Sequence, residues 1–228
     1  MIQIDCVDCG RSGRFRRQPR RPDVRCPDCK ALNSGVTGEA NRDLRSHLLA
    51  YPVPLQELKR FYRVLVGLES FEEFHAQVLD DRCVATLYDL GVTFCATNHS
   101  PQRVEHRVRQ AFSDGALGSA TQHRLLSDLA DEQGLEARAQ REWRVAHLLI
   151  SAMVESGDGS EASPFLVVDL ADQYLVLERE QRVSLARYTC EVDGRFYDIH
   201  ECKDGGEAWF DVTAQVESQA RLNTARAG

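Results

Sequence analysis

Cys6-Val7-Asp8-Cys9 and Cys26-Pro27-Asp28-Cys29 place two Cys-x-x-Cys pairs within the first thirty residues. Four thiolates in two close pairs, joined by a short polar loop, describe a tetrahedral Zn²⁺ site with Cys6, Cys9, Cys26 and Cys29 as ligands. Two intervening residues let the chain turn tightly enough for both sulfurs to reach one metal at about 2.3 Å. Pro27 pre-sets the backbone of the second turn, and Gly10 lets the chain leave the first in a left-handed conformation. Between the pairs, Arg14-Phe15-Arg16 and Asp23-Val24-Arg25 flank Gln18-Pro19-Arg20-Arg21-Pro22, which reads as a short hairpin with a proline-bounded tip. A disulfide framework is the alternative use of four such cysteines. It needs an oxidising compartment, and Met1-Ile2-Gln3-Ile4-Asp5 lacks the basic-then-apolar order of a signal peptide. The expectation is therefore a reducing, cytoplasmic setting and a metal.

The pattern Ile4-Asp5-Cys6-x-x-Cys9-Gly10 … Val24-Arg25-Cys26-Pro27-x-Cys29 resembles the four-cysteine zinc ribbons found at the N-termini of many bacterial proteins. The resemblance covers residues 1–35 and implies one structural Zn²⁺. It implies no particular activity for the remaining chain.

At 228 residues the chain has room for one large domain or two to three small ones. Its hydrophobic and charged content is ordinary for a globular protein, and no apolar run approaches the roughly 18 residues of a membrane span. The net charge of −7 conceals an asymmetry. Residues 1–35 hold seven Arg and one Lys against four Asp, a formal +4, which leaves −11 for the rest. Zn²⁺ with four thiolates would lower the first figure to about +2. Arg14, Arg16, Arg17, Arg20, Arg21 and Arg25 crowd one small segment, and guanidinium groups so arranged suit phosphate contacts. A solvated basic loop, or one docked on the acidic remainder, uses the same residues without nucleic acid.

Outward from the cysteines, residues 32–41 read as a linker and 42–156 as a helical domain. Leu55, Leu58, Phe61, Tyr62 and Leu65 recur at helical spacing after Tyr51-Pro52-Val53-Pro54. Ser70 and Glu73 form a capping-box pattern, and Cys83 to about Phe94 is apolar enough to be buried. Ser100-Pro101 opens a helix with a stripe of Val104, Val108, Ala111 and Phe112. Two more helices are expected over 120–132 and 135–155, the second apolar nearly all round after Trp143.

Past the flexible stretch 156–163 the period changes. Phe165–Val168 and Tyr174–Leu177 are short apolar runs. Leu185–Val192 and Arg195–Cys202 flank Asp193-Gly194, a type I′ hairpin signal that sets Val192 against Arg195, Cys190 against Tyr197 and Tyr188 against Ile199. Trp209–Val212 supplies a further strand. The expected fold class is α+β: a zinc ribbon over 1–35, a helical middle, and an antiparallel sheet of four or five strands over 163–213. A polar helix or tail is expected over 214–228.

Ser100-Pro-Gln-Arg-Val-Glu-His-Arg-Val-Arg-Gln-Ala-Phe112 resembles the recognition helix of LuxR-type helix-turn-helix regulators, with Leu87-Tyr-Asp-Leu-Gly-Val in the place of the first helix. The resemblance implies that Gln102, Arg103, His106, Arg109 and Gln110 face a major groove. An ordinary amphipathic helix with a polar outer face has the same pattern. Cys83, Cys95, Cys190 and Cys202, with His99 and His200, are the remaining candidates for a second metal site or a Cys/His pair, though none has knuckle spacing. No glycine-rich phosphate loop, Gly-x-Ser-x-Gly, His-Glu-x-x-His or paired-carboxylate motif occurs, so no catalytic residue is named. Three functions follow from the sequence: a non-enzymatic nucleic-acid-associated or regulatory factor, a protein-interaction adaptor or subunit of a larger assembly, or an enzyme with an illegible site.

Overall fold

The structure is a computed structural model that describes residues 44–95 and 100–227, with side chains for 44–91 and 100–225. It also gives the backbone of four short strands within 2–34. The chain divides into two compact units, Met1–Ser70 and Phe71–Gly228.

In the first unit, β1 (Ile2–Asp5) pairs antiparallel with β2 (Ser12–Phe15), Ile2 opposite Phe15 and Asp5 opposite Ser12. β3 (Asp23–Arg25) pairs with β4 (Leu32–Ser34), Arg25 opposite Leu32. This corrects the expected hairpin between the cysteine pairs: each described strand pairs across the nearest Cys-x-x-Cys instead. The connections 6–11 and 26–31 hold six residues each and 16–22 seven, nearly equal closure costs, so loop length does not decide which strands pair. β4 also takes Leu32–Ser34 from the stretch read as a linker. Further on, residues 44–48 are helical and α1 spans Leu55–Leu65. Leu44, Leu48, Phe61 and Val64 are buried, while Leu55, counted on the apolar face by its spacing, is half exposed.

The second unit runs α2 (Phe71–Val78), α3 (Asp81–Cys95), α4 (Pro101–Phe112), a 3₁₀ turn (Ala116–Gly118), α5 (Ala120–Glu132) and α6 (Glu136–Val154). It continues with β5 (Phe165–Leu166), α7 (Asp172–Arg179), β6 (Ser184–Val192), β7 (Arg195–Cys202), β8 (Glu207–Asp211) and α8 (Thr213–Ala227). Ser100 and Ser119 cap α4 and α5, their side chains accepting the N–H groups of Arg103 and Gln122. Gly115 bridges α4 to the 3₁₀ turn at φ +102°, where a Cβ would lie 2.8 Å from the Cβ of Cys83, so only glycine fits. α6 packs along α5 and against α7 and β5, burying Val145, Ala146, Leu149 and Met153. The stretch 156–163 thus connects helices and sheet within one unit.

The sheet has the order β5-β8-β7-β6. The β6–β7 hairpin has the register the sequence implies, Val192 opposite Arg195, Cys190 opposite Tyr197 and Tyr188 opposite Ile199. Asp193 and Gly194 sit at φ +50° and +77°, as a type I′ turn requires. Two expectations are corrected. β5 runs parallel to β8, so the sheet is mixed. Tyr174–Leu177 lies in α7 rather than in a strand, because the buried positions Asp172, Gln173, Val176 and Leu177 follow a helical period. Two of those four are polar, so a hydrophobicity pattern alone does not reveal it.

Candidate metal centre and a cavity in the body

The four cysteines belong to the connections 6–11 and 26–31, outside the described residues. So do Arg16, Arg17, Arg20 and Arg21; Arg14 lies on β2 and Arg25 on β3. The donor set fits Zn²⁺ on two counts. Four thiolates are the closed, structural combination for this ion. Each cysteine pair also falls in the connection of its own antiparallel hairpin.

In the body, α4 shows Gln102, Arg103, His106 and Gln110 exposed. Arg109 is instead part of an ion network: its guanidinium lies 3.0 Å from Glu105 and 3.3 Å from Glu142. Glu105 also meets Arg138. Glu142 is fully buried and faces His123 Nδ1 at 2.9 Å, while His123 Nε2 bonds the Leu117 carbonyl at 3.0 Å. Phe112 stacks on the His123 ring at 4.7 Å. The network joins α4, α5 and α6 through one buried carboxylate.

The other cysteines do not converge among the described residues. Cys83 is fully buried on α3, and burial pushes its thiol up to about 12, an unreactive state. Cys190 faces Tyr197 across the hairpin, and Cys202 faces Ser184. The Cys202 thiol donates to the His200 carbonyl at 3.5 Å, not to the ring. Cys95 and His99 have side chains outside the described residues. No group of three or more His, Cys, Asp or Glu is placed to hold a metal ion among the described residues.

On the helix-covered face of β7, His200, a candidate in the sequence, meets Asp198, which the sequence did not single out. Asp198 and His200 are inward on that strand, 2% and 0% exposed. The Gln173 amide connects them: Nε2 donates to Asp198 Oδ2 at 2.8 Å, and Oε1 lies 2.8 Å from His200 Nε2. Because a carboxylate only accepts, the amide orientation is fixed and Nε2 of His200 is the protonated nitrogen. Nδ1 then accepts from the Ser184 hydroxyl at 2.9 Å. Burial, and secondarily the charge of Arg187, push the His200 ring below its usual value, so it is neutral at pH 7. Asp198 also takes Thr189 Oγ1 at 2.5 Å and has Arg187 Nε at 3.5 Å. The alternating Asp198-Ile199-His200 pattern was a usable signal. Tyr197 and Ile199 mark one apolar face, but both faces of β7 are buried, so polarity does not identify an outward face.

Beside Asp198 opens a cavity of about 510 Å³ between α3, α8 and the sheet. Val84 and Leu87 of α3, Val168 after β5 and Val216 of α8 supply apolar wall. Polar groups enter from Asp169, Arg187, Thr189, Asp198 and Gln215. Gln215 is 6% exposed and held by a 2.7 Å bond from Nε2 to the Val167 carbonyl. Its Oε1 has no hydrogen-bond donor. Asp169 accepts from Ala171 N at 3.0 Å, Gln122 Nε2 at 3.1 Å and Ser119 Oγ at 3.4 Å. Behind it, Asp172 is fully buried and accepts both the N–H and the hydroxyl of Thr121 at 2.7 Å. Burial and then the Asp169 charge push Asp172 up to about 7.

Comparison with models of known protein families, with curated proteins and with solved structures returned no match. No described helix is long and apolar enough to cross a membrane.

Proposed function

We propose that the chain is a zinc-binding, non-enzymatic factor that associates with nucleic acid through its N-terminal hairpins. The observation that carries this reading is the placement of each Cys-x-x-Cys pair in the connection of a separate hairpin. One ion bound by Cys6, Cys9, Cys26 and Cys29 would tie the two hairpins together, a structural role that requires no open coordination position. Residues 16–22, with Arg16, Arg17, Arg20 and Arg21, connect β2 to β3. On such a mount they are available for phosphate.

The body supports confining that contact to the hairpins. Its formal charge is negative, and several arginines are committed to its own carboxylates: Arg82 to Asp114, Arg109 to Glu142, Arg195 to Asp211 and Arg221 to Asp81. The same observation favours the second reading, a protein-interaction adaptor whose acidic body keeps nucleic acid away. Salt separates them. Each phosphate contact adds about 0.9 to the slope of log affinity against log salt on duplex DNA. The test titrates duplex DNA, single-stranded DNA and RNA against the parent and the variant with Arg16, Arg17, Arg20 and Arg21 all changed to Ala. If all four arginines contact phosphate, the expected outcome on duplex DNA is a slope lowered by about 3.6 in the variant. Equal binding by the two proteins, or none by the parent, hands the function to the adaptor reading.

A further inference from the structure

We infer that β6 is the seam of a two-fold dimer: the strand pairs antiparallel with β6 of a second copy of this chain, with Thr189 on the axis. The inference concerns residues 71–228 only and stands apart from the zinc and nucleic-acid reading.

β6 is an edge. In the order β5-β8-β7-β6 it has one strand neighbour among the described residues. Leu185, Ala186, Arg187, Tyr188, Thr189 and Glu191 are all exposed, whereas β7 beside it is largely buried. Soluble proteins usually blunt such an edge, because its unpaired N–H and carbonyl groups are a template for another strand. Here the one irregularity falls between Ser184 and Ala186, at the start, and residues 187–192 keep a regular ladder.

Hydrogen bonds on β7 show which groups of the edge are unpaired. Phe196 lies opposite Glu191. Its N–H donates to Thr213 Oγ1 at 2.9 Å, and its carbonyl accepts the Val212 N–H at 2.9 Å. Phe196 therefore turns its backbone away from β6, and Glu191 in turn faces away from β7. An antiparallel ladder alternates, so Thr189 and Arg187 also point their N–H and carbonyl groups outward.

Charge selects the occupant. Arg187 and Glu191 stand two positions either side of Thr189. An axis through Thr189 sets Arg187 of each copy against the partner's Glu191, and Tyr188 against the partner's Cys190. Glu191 has no ion pair among the described residues. Arg187 keeps its Nε 3.5 Å from Asp198, yet 35% of its side chain is exposed. Opposite charges facing across a strand pair are stabilising. An axis through Arg187 or Glu191 would set like charges face to face. Ladder and charge thus agree on one register, and a self-complementary edge is what an isologous contact between identical chains needs.

Sedimentation of the full chain over a concentration series should show a reversible dimer. Glu191→Arg should weaken it by roughly tenfold or more, since the axis counts the change twice. Glu191→Pro removes an N–H that β7 does not use, which an edge strand tolerates, and should leave a monomer. Both variants should melt near the parent. Tyr188→Cys should face the partner's Cys190 at a Cα separation of about 4.5 Å, within disulfide reach. Diamide should then give a covalent dimer with that cross-link by mass spectrometry, and the parent none through Cys190. The inference is overturned if the parent stays monomeric throughout the series, if Glu191→Arg dimerises like the parent, or if diamide joins Cys190 to the partner's Cys190.

Discussion

Before residue 35, four strands of three or four residues form two separate two-stranded sheets. In the body, the β6–β7 hairpin pairs nine residues with eight, and β8 pairs with the other edge of β7 in a four-stranded sheet. The contrast is one of means. A lone two-stranded hairpin is at best marginal in water, and on the reading proposed above a bound Zn²⁺ would supply the stability that such short pairings lack. The body instead encloses Phe112, Leu126, Leu149, Met153 and Phe210 fully.

Removing the metal probes this contrast most strongly. Changing Cys6 and Cys26 together to Ser should reduce zinc from about one per chain to none and erase the hairpin signals in an amide NMR spectrum. Thermal unfolding of the body should be unchanged. Zinc retained by the double variant, or a body that melts with the hairpins, would break the comparison. In the body the largest single effect should come from its buried carboxylate. Glu142→Ala leaves His123 and Arg109 facing a void, and loss of a partner from a buried ion pair typically costs about 3–5 kcal/mol. Urea unfolding measures it, and a loss below about 1 kcal/mol would show the network to be dispensable.

A third change works through pH. Asp172 has a folded value of about 7, above that of an unfolded aspartate near 3.9. The folded state therefore keeps a proton that the unfolded state releases between those limits, and this contribution fades as pH rises from about 4 to 7. His75 and His200 act in the opposite sense: burial lowers both, so their contribution is lost as pH falls below about 6.5. Asp172→Asn removes the first effect and keeps the second. Relative to the parent, the variant should gain stability on going from pH 5 to pH 8, by on the order of 2 kcal/mol. Parallel pH profiles would sink the assignment. The smallest effect is expected on the outer face of α4, where Arg103 is exposed. Arg103→Ala should leave stability within about 0.5 kcal/mol of the parent. A loss of sequence preference in DNA binding would instead show that this helix reads bases.

Local rules made much of the fold legible. Ser100-Pro101 gave the start of α4, and Asp193-Gly194 gave the β6–β7 register to the residue. Failures came where buried positions are polar. Asp172 and Gln173 hid the period of α7, and Asp198 and His200 hid the helix-covered face of β7. A cavity is harder still. Its walls come from α3, the segment after β5, the β6–β7 hairpin and α8, which span residues 84 to 223. No local pattern encodes such a meeting. The parallel course of β5 is likewise set by where the chain returns from α6, not by its two strand residues.

Arg221, near the end of α8, grips Asp81 at the start of α3 through two bonds of 2.8 and 3.0 Å to one carboxylate oxygen, and Ser218 adds a third at 2.6 Å. The contact closes a loop of 140 residues and fastens the last described helix to α3. A single cut at the exposed Asp193-Gly194 turn would therefore leave two fragments that still meet at this clamp as well as along the sheet.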